Sequence, residues 1–410
     1  MTKADPPVRH RRGAVLFIFV TVLLDIMALG MVAPILPGLV RQFVLGNISE
    51  AAVIYAGFNT VFASVQFFCS PVIGCLSDRF GRRPLILVSN LGLGLSYAAM
   101  AWAPSLAWLF VGRVVSGVTG ASFAIASAYV ADTTPEEKRG QAYGLIGAAF
   151  GVGLVFGPAL GGLLSRFGLH APLYVAAAFS LANAIYGVFV LPESLDAAHR
   201  LPFSWRRANP IGALILLKRH PELFGLAGVS FVSTLAQVSL PSSIVLYATY
   251  RYGWSPQTLG ATLTAVGVAL VVAQVFVVPR AIGWFGNRRA IIAGLLFGAA
   301  GMVVAGTAAT GAMLWWAIPI LALWGMFGAA AQALMTRHVT AAEQGRLQGA
   351  ISSLTGISEV VGPLIFLNVY AYFVRPGLPL SLSGAPFLLA ALFLGMAAVW
   401  AWWATRPEAD

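Results

Sequence analysis

Twelve apolar runs divide this chain, each long enough to cross a membrane as a helix. They fall near 14–40, 51–74, 84–103, 105–131, 142–165, 170–191, 223–248, 256–280, 290–311, 313–336, 346–373 and 382–404. A helix needs about 20 residues to span the hydrocarbon. Apolar residues make up 59% of the chain and charged ones 10%, against about 45–50% and 25% in a soluble domain. The sequence therefore predicts an all-α polytopic membrane protein of twelve spans, with both termini on one side. A basic start (Lys3, Arg9, Arg11, Arg12) precedes the first run. That run exceeds the roughly 7–15 apolar residues of a secretory signal, so it reads as an uncleaved span.

The net charge of +11 is a topology signal rather than a nucleic-acid footprint, because the cations sit in short loops and not on a basic face. Of the 25 Lys and Arg, Arg113 lies within a span, and Arg41, Arg166, Arg251 and Arg375 lie in loops on the face away from the termini. The remaining 20 share the face of the termini, which the positive-inside rule places in the cytoplasm. Cys69 and Cys75 are isolated thiols that suggest neither a disulfide framework nor a metal site.

One cytoplasmic turn concentrates charge. From Gly74 to Pro84 it reads Gly-Cys-Leu-Ser-Asp-Arg-Phe-Gly-Arg-Arg-Pro, with Asp78, Arg79, Gly81, Arg82 and Arg83 between two apolar runs. An eroded copy, Gly283 to Arg289, carries Gly286 at a distance of 205 residues from Gly81 (286 − 81). Gly140 and Gly345, Gly144 and Gly349, and the pairs Gly157-Pro158 and Gly362-Pro363 repeat the same offset. The spans thus form two repeats of six: residues 1–191, a cytoplasmic linker at 192–221, and residues 222–410. In the fifth span Gly153, Gly157 and Gly161 are four apart and share a face, where another helix can pack closely, while Pro158 bends the helix. Close packing and a hinge are both consistent with that pattern.

Asp25, Arg113 and Glu359 are the ionisable side chains, histidine apart, that fall well inside spans. At 1.5 Å per residue, Asp25 is roughly 16 Å and Glu359 roughly 20 Å from the cytoplasmic start of its helix. Charges at such depth cost several kcal/mol unless paired or hydrated, so they face a cavity or each other. Either carboxyl is suited to carrying a proton; a structural hydrogen bond is the other reading. Asn59, Gln66, Gln237, Gln274, Gln332 and Trp324 fall at similar depth. They line a substrate cavity or bond to neighbouring helices.

Four blocks carry a family resemblance: Leu23-Leu24-Asp25 through Pro37; Ser77-Asp78-Arg79-Phe80-Gly81-Arg82-Arg83-Pro84; Gly112-Arg113 through Gly117 and Gly120-Ala121; and Gly153 through Gly157-Pro158 and Gly161-Gly162. With them the chain resembles the major facilitator superfamily, in its drug/proton antiporter branch, and over nearly its whole length is similar to tetracycline/proton antiporters. The resemblance implies two six-helix bundles with a midplane site between halves that rock. It implies a conformational latch at Gly74, Asp78, Arg79, Gly81, Arg82 and Arg83, with Asp78 set against the start of the eleventh span near Arg346. Asp132, Glu136 and Glu137, in the next cytoplasmic loop, are expected partners for Arg82 and Arg83. The chain also departs from the pattern. Tetracycline antiporters carry aspartates where it has Ser96 and Gly298, and a histidine where it has Leu270. Glu359, which no family motif requires, reads as a relocated coupling acid.

The expected function is proton-coupled efflux of an amphipathic small molecule, drug-like or tetracycline-like, by alternating access. The expected partners are that substrate, protons and membrane lipid; no nucleic acid, cofactor or metal is expected, and the chain is read as a monomer in a bacterial inner membrane. Two alternatives stay open: a transporter of the same fold for a lipid, sugar or other metabolite without proton antiport, and a receptor or channel with no transport cycle. An enzyme is not expected, because the sequence contains no phosphate-binding loop, nucleophile triad or metal-ligand cluster.

Overall fold

The computed structural model describes residues 8–120, 122–205, 208–214, 221–340, 343–375 and 382–405, with the side chains of 8–15, 122–123, 136–137, 140, 213 and 221–222 excepted. The basic start at Lys3 therefore lies outside the described residues, as do the side chains of Arg9, Arg11, Arg12, Glu136 and Glu137. Among the described residues the long regular elements are all α-helices. Two compact units emerge, one formed by Met1–Leu36 and Val65–Asn209, the other by Pro37–Ser64 and Pro210–Asp410.

In the first unit α1 (Val8–Val32) ends where Pro34 removes a backbone donor; the short α2 (Leu36–Phe43) that follows belongs, from Pro37 on, to the second unit. The chain continues through α3 (Ile48–Phe80), whose residues from Val65 onward belong to the first unit. It then forms α4 (Arg82–Ala101), α5 (Leu106–Thr119), α6 (Ser122–Thr133), α7 (Glu136–Leu164) and α8 (Ala171–Val190). The fourth span is thus two helices interrupted at Gly120. Toward the ends of these helices that adjoin the charged turn, one apolar cluster joins Phe17, Ile18 and Val22 of α1, Ile86 of α4, Ile125 and Tyr129 of α6, Ile146 of α7, and Leu191.

The second unit contains α9 (Pro221–Tyr252), α10 (Pro256–Val272), α11 (Val278–Thr307), α12 (Gly311–Ala322), α13 (Gly325–Arg337), α14 (Gln344–Phe373) and α15 (Ala385–Ala404). A π-helical turn, Ala273–Val277, joins α10 to α11. The segment Pro37–Ser64 is held within this unit, where Ser49 Oγ donates to Ala371 O at 2.9 Å and Thr60 Oγ1 to Val360 O at 3.2 Å.

Among the described residues, eleven helical stretches are long and apolar enough to span a membrane. One of them, Pro256–Thr307, is 52 residues long and holds two spans. The sequence predicts a loop at 281–289 here, but the helix continues on both sides of a single interruption at Gly286, with φ 73° and ψ 164°. Gly81, between α3 and α4, has φ 107° and ψ 157°. The turns related by the 205-residue offset therefore share a backbone conformation that only glycine adopts readily.

The two glycines differ in their surroundings. A Cβ at Gly286 would meet nothing within 4 Å, whereas one at Gly81 would run into the Glu193 carboxylate. Both Gly81→Ala and Gly286→Ala should lose about 1–3 kcal/mol to backbone strain. Gly81→Ala should lose more, because it also expels Glu193. Thermal unfolding of the two variants in detergent checks the order; equal losses would mean that the Glu193 contact is without weight.

Candidate functional site

Four groups of side chains bear on function. The first surrounds the charged turn. Arg82, only 9% exposed, pairs through Nη1 with Asp78 Oδ1 at 2.6 Å and through Nε with Asp132 Oδ2 at 3.0 Å. Its Nη1 also donates to Ser77 Oγ at 2.6 Å, and Ser77 Oγ donates to Gly74 O at 2.7 Å. Asp132 is thus the partner of Arg82, as the sequence suggests. Arg83 instead donates from Nη2 to Val188 O at 2.7 Å, at the end of α8. Arg79 lies over the Phe80 ring at 5.1 Å.

Glu193 completes this group. Its Oε1 accepts from the backbone N–H of Arg82 (2.8 Å), Ser194 (3.0 Å) and Leu195 (3.1 Å). Only the absence of a side chain at Gly81 lets the carboxylate come so close. The following chain stays on the turn: Leu201 N donates to Asp78 O at 3.1 Å, and Tyr129 OH to Pro192 O at 2.9 Å. Sequence spacing placed Glu193 in the linker and gave no sign that the linker folds back here.

The second group is the α1–α7 contact. A Cβ at Gly157 would lie 2.8 Å from Gly30 Cα and 2.9 Å from Met27 O, one at Gly153 2.8 Å from Ile26 Cβ, and one at Gly161 would collide with Met31 O. Pro158 Cδ in turn lies 2.9 Å from where a Gly30 Cβ would stand. The glycine face therefore lets two backbones approach without side chains between them, as small residues do in membrane interfaces.

The third group lies deep in the first unit. Asp25 of α1 is 9% exposed and Arg113 of α5 is 5% exposed. Both are within electrostatic reach of the buried Tyr97 hydroxyl on α4. An acid and a guanidinium thus both act electrostatically on one buried phenol, and Tyr97 is a member that the sequence did not single out.

The fourth group is on α14. Gln348, Ser352, Thr355 and Glu359 recur at helical spacing and share a face; Gln348, Ser352 and Glu359 are exposed and Thr355 half-buried. To one side of this face the helix touches α9, where Ser358 Oγ lies 3.5 Å from Phe231 O and a Cβ at Gly362 would be 2.6 Å from Val238. To the other side it receives Thr60 at Val360 O. Leu364, Asn368 and Tyr372, also exposed, point the opposite way. Farther along, the Glu359 face continues as Pro363, Phe366 and Tyr370, all buried. Glu359 therefore stands at the inner limit of an accessible polar stripe that begins at the Gln344 end of the helix, and not on the side where apolar residues are bare.

The remaining polar candidates separate. Gln66 donates from Nε2 to Gly120 O at 3.2 Å, across the break in the fourth span. Trp324 is 7% exposed and donates from Nε1 to Ser233 Oγ at 3.1 Å, so its indole is a packing element at the α12–α13 break. Gln274 is exposed within the π-helical turn, with Oε1 3.0 Å from where a Gly325 Cβ would stand. Gln237 is exposed on α9, and Asn59 and Gln332 are half-buried.

Two departures from the tetracycline antiporter pattern have a physical account. A Cβ at Gly298 would lie 2.9 Å from Trp324 Cγ and Cδ2, so the indole takes the room an acid would need. Ser96, 2% exposed, shares a 2.7 Å hydrogen bond with Ser116 and is tied into the α4–α5 contact.

Apolar helices of span length with Asp25 and Arg113 buried among them define an integral membrane protein. The family model described as Major Facilitator Superfamily matches residues 18–363 and 226–410. The tetracycline resistance protein, class C, of Escherichia coli is 40% identical over 363 residues, which cover 88% of this chain and 90% of that protein. The class G protein of Vibrio anguillarum is 34% identical over 88% of this chain and 91% of its own length. Among solved structures, the human organic anion transporter MFSD10 (TETRAN) superposes with a TM-score of 0.69 at 22% identity, covering 97% of this chain and all of that one. The nucleoside transporter NupG gives a TM-score of 0.77 at 13% identity, over 96% and 100% of the two chains. The chain belongs to the major facilitator superfamily, in the group that includes the tetracycline resistance proteins.

Proposed function

We propose that this protein exports an amphipathic small molecule, a tetracycline or a drug of similar build, in exchange for protons entering down their gradient. The observation that carries the reading is the placement of Glu359: an acid deep within a span, on an accessible polar face, in a chain 40% identical to a tetracycline resistance protein. A proton arriving at Glu359 neutralises it, and the neutral acid no longer holds a cationic or hydrogen-bonding cargo. Asp25 and Arg113 form a second titratable centre in the other unit, coupled to the cycle. One charge crossing 100 mV supplies about 2.3 kcal/mol, enough for a useful concentration gradient. The termini and the Gly74–Pro84 turn face the cytoplasm, where the turn acts as a conformational latch. Gln237 and Gln274 contribute polar contacts to the cargo.

A transport assay over a panel of drugs tests this reading. Bacteria that express the chain should accumulate less of at least one tetracycline or amphipathic cation than cells without it, and collapsing the proton gradient should restore accumulation. Unchanged accumulation across the panel, with the protein present in the membrane, would contradict it.

A further inference from the structure

The first unit holds buried polar side chains that the transport reading leaves unused. Thr21 of α1, Asn90 of α4, and Ser180 and Asn183 of α8 are each no more than 1% exposed. Three helix contacts bring them together. A Cβ at Gly187 of α8 would lie 2.6 Å from Leu87 of α4 and 2.9 Å from Phe17 of α1. One turn farther along, Thr21 Oγ1 donates to Asn183 Oδ1 at 3.2 Å. Gly94 of α4 faces Leu181 at 2.6 Å, so antiparallel register sets Asn90, which lies between Leu87 and Gly94, level with Asn183. Asn90 also falls one helical turn from Ile86, which packs toward α1 and α6, and two turns from Tyr97. Ser180 is one turn beyond Asn183, as Asp25 is one turn beyond Thr21. The result is a buried polar column leading up to Asp25 and Tyr97.

Most of its polar atoms lack protein partners. Nδ2 and Oδ1 of Asn90, Nδ2 of Asn183 and Oγ of Ser180 have no hydrogen-bond partner among the described residues. Each such group costs about 1–3 kcal/mol if left unsatisfied, and folded proteins satisfy nearly all of them. The unmet demand comprises two amide NH2 groups, a carbonyl acceptor and a hydroxyl. A cation would serve only the oxygens and an apolar ligand none. Water serves both kinds, and buried water makes two to four such bonds.

The second unit provides an internal comparison. At the 205-residue offset, Thr21 and Asn90 correspond to Leu226 and Leu295. The last span is shifted to 214 (385 − 171), because Ala385-Pro386 opens it as Ala171-Pro172 opens α8, and Ser180 and Asn183 there correspond to Leu394 and Ala397. All four counterparts are apolar and buried. The fold therefore does not require polar residues at this junction.

We propose that Asn90, Ser180, Asn183 and Thr21 hold an internal water site that hydrates Asp25. The apolar cluster of Phe17, Ile86, Tyr129 and Leu191 lies between the column and the helix ends that adjoin the charged turn, so the water is enclosed and not part of an open channel. It keeps a carboxyl in the protein interior solvated whether or not it carries a proton. That consequence rests on the reading of Asp25 as a proton-carrying group. Tyr97 of α4 is within electrostatic reach of both Asp25 and Arg113 of α5; α7 presents its glycine face to α1, Tyr129 of α6 and Tyr186 of α8 lie at the level of Phe17, and Tyr174 of α8 lies toward the other end of that helix, against Trp102.

A structure of the full chain in lipid, at a resolution that shows ordered water, tests the site directly. Water oxygens are expected within hydrogen-bond distance of Asn90 Nδ2 and Asn183 Nδ2. Direct pairing of the two amides without water, or a metal ion in their place, would overturn the proposal. A functional arm uses Asn90→Leu, which installs the residue the second unit already tolerates. This variant should fold and retain efflux but shift the pH at which efflux is half-maximal; an unshifted profile would overturn the hydration of Asp25. Asp25→Asn separates the two ideas: if its proton-coupled efflux equals that of the parent chain, the coupling role of Asp25 fails while the water seen at Asn90 and Asn183 stands.

Discussion

Glu359→Gln should reach the membrane and unfold at the temperature of the parent chain, yet lose proton-coupled efflux down to the level of vesicles without protein. Glutamine matches glutamate in size and hydrogen-bonding reach but cannot take up or release a proton at any working pH. Glu359 stands on an accessible face of α14, so no packing depends on its charge. The loss should therefore appear in transport and not in stability. Ser352→Ala, two helical turns along the same stripe, removes a hydroxyl but no proton site and should keep most of the activity. Proton movement in proteoliposomes, measured beside thermal unfolding in detergent, checks both variants. A Glu359→Gln protein that still exchanges protons for cargo would remove this acid from the coupling scheme.

Gly157→Val should do the opposite and fail as a folded protein before transport can be assayed. Gly157 meets Gly30 Cα and Met27 O, which are backbone atoms with no flexible side chain to give way. Overpacking usually costs about 1–3 kcal/mol, and more where nothing can yield. The α1–α7 contact would have to open along its length, through Gly153 and Gly161 as well. Gly147→Ala is the control, because a Cβ there meets nothing within 4 Å although the residue lies on the same helix. Detergent unfolding should show Gly157→Val far below the parent chain and Gly147→Ala beside it. Equal stability of the two variants would mean that α1 and α7 are not held by close backbone approach.

Much of this architecture was legible in the residues. Apolar runs of span length fix the helices because the hydrocarbon leaves few other choices. The 205-residue repeat survives in Gly81 and Gly286 because each turn needs a backbone conformation that other residues resist. Glycines four apart on α7 announced a close contact, and the contact is with α1. Other features depend on where the chain returns in space. Glu193 looks like one charge in a polar linker until the linker folds back over Gly81. Tyr97 reads as an ordinary aromatic within an apolar run until α1 and α5 bring Asp25 and Arg113 toward it. The Gly298 departure explains itself only once the Trp324 indole is found in the space an acid would fill. The helix breaks at Gly120 and at Leu323–Trp324 leave no mark in the sequence, because hydropathy runs through them unchanged.

Purified protein in liposomes, with cargo supplied on one side and lumenal pH followed by a trapped dye, tests the central claim most directly. Movement of a tetracycline or other accepted drug should carry protons the opposite way, and an imposed pH gradient should drive the drug uphill. Saturable drug movement with no accompanying change in lumenal pH would contradict proton antiport while leaving the transporter fold intact.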